Sequence, residues 1–559
     1  MKLRLFTLFC LMAGFLLALK VELLSNEPVN YLSALDKNPV QPGQGVYTRK
    51  VTQHPQAQAQ FDQGLNYLFA FNHDESCKAF ERAAEFDPQC AMAYWGIAIT
   101  QGSHINKPVV AAEQDKKALA ALAKAQEHKV NCTPENAELI NALAVRFQSN
   151  APQDRSGLNC AYSNAMKKAW DKYPADADIG TLYAESMMNL RPWDLWSNTG
   201  EPRPETPEII KVLETVLEKC PDHPMALHLY IHAVEASPEP GKAEKAAERL
   251  RFLTPGLGHL VHMPTHIDVR TGKWQKAIDS NQLAIAADAN YRKQSPKQGF
   301  YNLYMAHNRH MLAFAAMMSG QSKLALETVR TMLAGVPHEW VAVKENAAIA
   351  DGFLASPLEV MMRFGMWEEI LKEPEAPALF PIARTMRHHA RAVAYAGLGK
   401  IAEAREEQKK FLESAANTPK EATFGNNAAN KLYAVATPML EGEILYREGK
   451  LAEAIEQLKA AAQKEDLLQY NEPPDWIVPV RHPLGAMLLK DGKAAEAEAT
   501  YREDLKRWPN NGWALHGLTK SLQAQGRQKE AEATEKQLNS VWQHADVPLS
   551  SSCKCVENK

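Results

Sequence analysis

Residues 484–509 read LGAMLLKDGKAAEAEATYREDLKRWP. Apolar residues recur at i, i+3 and i+4 on both sides of Gly492, which is the spacing of a helix face. Gly492 interrupts the pattern where a chain leaving one helix turns in left-handed geometry, a conformation glycine takes without steric cost. Ala497, a little further on, is small enough for the second helix to pack closely against the first. The stretch predicts a helical hairpin. The same phrase, a Gly followed by an Ala at the same offset, recurs at Gly272…Ala277, Gly320…Ala325, Gly399…Ala404, Gly449…Ala454 and Gly526…Ala531, and more weakly at Gly241…Ala246. From residue 56 almost to the end, Ala, Leu, Glu, Lys and Gln dominate at helical spacing. No run of alternating β-branched residues interrupts them, so the fold class is all-α. Repetition on this scale signals a repeat protein.

The residues Leu484, Gly485, Gly492, Ala497, Tyr501 and Pro509 resemble the tetratricopeptide repeat family. Gly64…Phe80…Ala83…Pro88 is a second match, with Phe71 where the turn glycine belongs, and Gly442…Gly449…Ala454 is a third. The similarity covers most of residues 56–545, carried by the number of degenerate units rather than by any one. The spacing from Gly492 to Gly526 is the family's 34 residues. Other spacings are longer, and the stretch from Arg191-Pro192-Trp193 to Pro207 reads as an insertion. The resemblance implies a right-handed superhelical solenoid whose first helices line a concave groove for a protein or peptide partner. The His-Met-Pro-Thr-His segment at 262–266 resembles a subset of bacterial exported tetratricopeptide proteins.

At 559 residues the chain is too long for one ordinary core, so it splits into domains or stacks as a solenoid. Its 45% hydrophobic and 23% charged residues are those of a folded soluble protein. A net charge of −3 without a Lys/Arg stripe argues against a nucleic-acid partner and against a polybasic membrane patch. Lys2 and Arg4 before the apolar run Leu5–Leu19 predict a signal peptide at 1–20, or an N-terminal anchor if it stays uncleaved. Export to the periplasm or outside the cell follows, with membrane contact only through that segment. A linker at 21–55 precedes an N-terminal helical region at 56–220, a central histidine-rich region at 221–335 and C-terminal repeats at 336–545. Residues 546–559 read as a flexible tail carrying Cys553 and Cys555. Seven cysteines beyond the signal are too few and too scattered for a disulfide-built scaffold. Cys77 and Cys90 could meet across a hairpin, and Cys553 with Cys555 could form a small clip.

Histidines are placed far from randomly. With the turn glycine at repeat position fifteen, His228, His259 and His307 fall on position two, His262, His310, His389, His482 and His516 on position five, and His266 on position nine. These are nine of the 18 histidines on groove positions, against about one expected at random. His228 and His232, and likewise His262 and His266, share a helix face one turn apart and can chelate one divalent ion. Pro264 complicates this. If it starts a helix, His259 and His262 lie on a loop. Glu235 falls at position nine as a candidate carboxylate ligand, with Glu185 less certain and Asp268 a buried or capping residue. The metal candidates are therefore His228, His232, His259, His262, His266, His307, His310 and Glu235, for Zn, Cu or Fe. Met263, Met305 and Met311 would favour copper if they were ligands, but Met usually fills cores.

Three readings follow. In the first, a binding protein holds a transition metal in a histidine-lined groove. In the second, an interaction scaffold uses the histidines for hydrogen bonds without metal. In the third, a metal-dependent hydrolase or oxygenase uses Glu235 or Asp268 as base. Phosphate loops, nucleophile elbows and Cys-x-x-Cys pairs are absent, so the sequence leans away from an enzyme.

Overall fold

The computed structural model describes residue 45, residues 47–296 and residues 298–557. The proposed signal at 1–20 and most of the linker lie outside these residues. Among the described residues the protein is an all-α solenoid of antiparallel hairpins, with one two-residue ladder pairing Thr423–Phe424 to Asn427–Ala428. No helix among them is long and apolar enough to cross a membrane.

The recurring phrase builds each hairpin as its chemistry requires. Gly272, Gly320, Gly399, Gly449, Gly492 and Gly526 all take positive φ, between 71° and 81°. The alanines that follow them, Ala277, Ala325, Ala404, Ala454, Ala497 and Ala531, are completely buried against the first helix. Gly241 differs: it lies in a short 3-10 turn, Pro240–Ala243, at ordinary φ. Phe71 does occupy the turn glycine's place, and it adopts the left-handed conformation itself, at φ 55°.

Within and between hairpins, glycine is also needed for space. Gly485 on the Arg481–Lys490 helix and Gly517 on the Gly512–Ala524 helix both face the Tyr501 ring. A Cβ on Gly517 would lie 2.0 Å from that ring. Gly64 and Gly96 flank Phe80 in the same manner near the N-terminus. Overpacking a filled core costs about 1–3 kcal/mol. Gly517→Ala is accordingly expected to lower the unfolding free energy from urea titration by that amount, whereas Gly526→Ala meets no neighbour and should cost only its backbone strain.

Stretches far apart in sequence close on one another. Trp274 Nε1 donates to Pro509 O at 3.0 Å, Trp513 Nε1 donates to Met317 O at 2.8 Å, and Ser295 Oγ donates to Glu75 Oε1 at 2.7 Å. The last residues of the expected linker join this packing. Arg49 pairs with Asp176 at 2.9 Å and with Asp178 at 2.7 Å. Where composition suggests a flexible tail, residues 546–557 also pack back. Asp546 Oδ1 accepts from Ser322 N, Arg363 Nη2 donates to Ser552 O, and Cys555 and Val556 are buried. Cys553 and Cys555 form a disulfide, while Cys77 and Cys90 remain free thiols.

Candidate metal centre

Three successive hairpins deliver the histidines. The Pro224–Val234 helix carries His228 and His232, and Glu235 caps its C-terminus. The next first helix is built in two pieces: Gly258–His262, with His259 and His262, and Pro264–Arg270, with His266. A residue before proline is normally kept out of helical geometry. Met263 nonetheless sits at φ −48°, ψ −39°, so the chain passes through Pro264 on a helical path. His259 and His262 are therefore helical, not on a loop, and His262 keeps its one-turn spacing to His266. The Asn302–Met318 helix adds His307 and His310.

The groove is closed at this point. An open concave face would leave these side chains in solvent. Instead His228, His232, His259, His262, His266 and His310 are buried and His307 is half-buried. Phe71 covers one side, its ring centroid 4.5 Å from His228 and 6.0 Å from His259. Trp193, from the insertion, stands edge-on to His232 at 5.3 Å. The segment following the Leu451–Glu465 helix lays the buried Glu472 against His266.

Two all-histidine clusters result, beside a mixed set of Glu235, His266 and Glu472. In the first, His262 Nε2 lies 2.9 Å from His266 Nε2, and His307 Nε2 lies 3.4 Å from His266 Nε2. In the second, His228, His232 and His259 each bring one ring nitrogen within 4.8 Å of the other two. The clusters adjoin, with ring centroids of His232 and His266 5.6 Å apart and those of His259 and His262 6.1 Å apart.

The opposite nitrogens explain the direction of the rings. His228 Nδ1 meets the Phe69 carbonyl at 2.8 Å, and His232 Nδ1 meets Glu235 Oε1 at 2.8 Å. His262 Nδ1 meets Asn281 Oδ1 at 2.7 Å, and Asn281 is held in that orientation by donating Nδ2 to Ala277 O at 2.9 Å. His266 Nδ1 faces Glu235 Oε2 at 2.5 Å and Glu472 Oε2 at 3.3 Å. Carbonyl and carboxylate oxygens only accept, so each Nδ1 carries the proton and each Nε2 of a neutral ring presents a lone pair inward. Such an acceptor behind the ring is the arrangement that orients metal-ligating histidines.

Burial holds His228, His259, His262 and His307 well below the usual imidazole range. Burial also pulls His266 down, but the carboxylates of Glu235 and then Glu472 override it and lift His266 to about 10. In turn, burial raises Glu235 while His266 and His232 bring it to about 2. Two imidazole nitrogens 2.9 Å apart need a proton or a cation between them. On His266 an ion and this proton compete for the same place.

Other sequence candidates stand elsewhere. His310 is buried beside Phe353 and belongs to neither cluster. Glu235 lies behind the His232 and His266 rings, on their Nδ1 side, where it orients them and converges with His266 and Glu472 as a further donor set. Asp268 stands apart from the histidine clusters, bound by Arg251 at 2.8 and 3.1 Å. Glu185 is buried with Asn189, beside a small cavity lined by His73, His104 and Arg146. Met263, Met305 and Met311 are core residues. Far along the solenoid, His389, His482 and His516 are buried rather than lining an open groove, and His482 bonds Asp504 at 3.0 Å.

Sequence reasoning missed Glu472, Asn281, the Phe69 carbonyl and the Phe71 wall. The signal for Glu472 was Asn471-Glu472-Pro473-Pro474-Asp475-Trp476, which departs from helical spacing between two repeats. A cavity of about 20 Å³ touches Trp193, His232, Glu235 and Tyr470. A larger one of about 640 Å³, lined among others by Trp196, Arg270, Tyr470 and Trp508, adjoins it through Ala236 and Tyr470.

No family model matches the chain, and no curated protein does. The exported His-Met-Pro-Thr-His subset therefore stays a resemblance of sequence. Among solved structures, the chain is similar to a human IFIT1 dimer with m7Gppp-AAAA, at 13% identity and a TM-score of 0.32, over 88% of this chain and 91% of that one. It is also similar to the APC/C hetero-tetramer Cut9-Hcn1, at 13% identity and a TM-score of 0.31, over 83% of this chain and 76% of that one. At these values neither likeness bears on ligand or partner.

Proposed function

We propose that this chain is an exported helical-repeat protein that holds a transition-metal ion in its closed groove through His262, His266 and His307. The observation that carries this is the convergence of three Nε2 atoms, at 2.9 and 3.4 Å, from rings of which two are anchored at Nδ1. Imidazole donors without thiolate suit zinc, copper or iron. Three histidines leave one position of a four-coordinate ion open, the arrangement of ions that meet a small ligand. Export rests on Lys2, Arg4 and the apolar run after them.

The test is elemental analysis of the untagged full-length protein after reconstitution with Zn, Cu and Fe in turn. At least one tightly held ion per chain is expected, and His262→Ala/His266→Ala should lower the count by one. A chain that retains none of the three ions would overturn the proposal and leave the clusters as hydrogen-bonded histidines.

A further inference from the structure

We infer that His228, His232 and His259 form a second three-histidine site, so that the chain holds two transition-metal ions side by side. This rests on the reading just given for His262, His266 and His307, and extends it to a neighbouring set of residues.

Four buried ring nitrogens stand unpartnered in one place. His228 Nε2, His232 Nε2 and both ring nitrogens of His259 have no hydrogen-bond partner. Each orphaned buried polar group destabilises the fold unless something satisfies it. A fold that gathers one such nitrogen from each of three residues within 4.8 Å has built a concave donor set. His228 and His232 are anchored from behind by the Phe69 carbonyl and by Glu235. Their lone pairs are therefore fixed toward the cluster before any ion arrives.

The wall around this cluster carries a conformational cost as well. Phe71 takes a strained left-handed backbone, at φ 55°, that only glycine adopts freely. Its ring thereby packs on His228 and His104, with centroid distances of 4.5 and 4.4 Å. Glycine in its place would turn the chain without strain but leave the cluster open. Glu235 joins the two sets, Oε1 behind His232 and Oε2 behind His266. One carboxylate thus supplies negative charge to two adjacent cations, with Glu472 as the second anion.

Full-length protein is stripped with a chelator, loaded separately with Zn(II) and with Cu(II), freed of unbound ion and counted by elemental analysis. About two ions per chain are expected. In the copper form, neighbouring spins couple, so the paramagnetic resonance signal accounts for well under two spins. His228→Ala/His259→Ala should bind one copper with one full uncoupled spin, and His228→Gln/His259→Gln serves if the alanine variant does not fold. A wild-type count of one, unchanged in these variants, overturns the second site and leaves the first standing. A count of zero overturns both. Two coppers that behave as independent spins overturn the side-by-side pair. Ordered water satisfying the orphaned nitrogens is the reading that a count of one would support.

Discussion

Removing the metal from the loaded protein is expected to lower its thermal midpoint by several degrees, and re-adding zinc or copper should restore it. Binding to the folded state alone stabilises by about 4 kcal/mol when free ion exceeds the dissociation constant a thousandfold. The contribution is large here because each ion would draw its donors from two neighbouring hairpins. His232 lies on Pro224–Val234, His262 and His266 lie on the paired helix around Pro264, and His307 lies on Asn302–Met318. An ion among them ties the middle of the solenoid together where, without it, buried imidazoles face one another. Scanning calorimetry with chelator, and then with ion restored, reads the effect directly. His262→Ala/His266→Ala should lose the part of the shift that its own cluster supplies, and adding His228→Ala/His259→Ala should make the midpoint insensitive to metal. A wild-type midpoint equally insensitive would mean that the clusters are hydrogen-bonded packing only.

Glu235 gives the second large effect. It touches neither set of inward nitrogens, yet its two oxygens stand behind His232 and His266. Partners behind the ring typically account for 10–100-fold in metal affinity. Glu235→Gln keeps a single acceptor oxygen, so one ring retains its anchor and the other faces an amide donor. Affinity at one cluster is then expected to fall about 10–100-fold while the other holds. Glu235→Ala should weaken both. Competition titration against a chelator of known affinity measures this. Unchanged affinity in both variants would show that ring orientation is set elsewhere.

The repeat architecture is legible because it follows from local rules. A left-handed turn needs glycine, and a close hairpin needs alanine, so Gly492 and Ala497 announce their geometry wherever they recur. The histidines of the site are legible too, since they occupy the same face of successive first helices. Their burial is not. Whether a groove is open depends on contacts between distant segments, such as Trp274 with Pro509, which no repeat pattern encodes. Pro264 misleads for a related reason. Local sterics favour a helix start there, and tertiary packing holds Met263 helical against that preference. Glu472 lies more than two hundred residues from His266 in an irregular segment, and only the folded chain brings them together. The division of six histidines into two sets is likewise a property of ring direction, decided by Asn281, Glu235 and the Phe69 carbonyl.

The most direct test of the central claim is X-ray absorption at the metal edge of the loaded protein. The expected result is a first shell containing about three nitrogens per ion near 2.0–2.1 Å, with the outer-shell scattering of imidazole rings. A first shell of sulfur, or of oxygen alone without imidazole scattering, would contradict it.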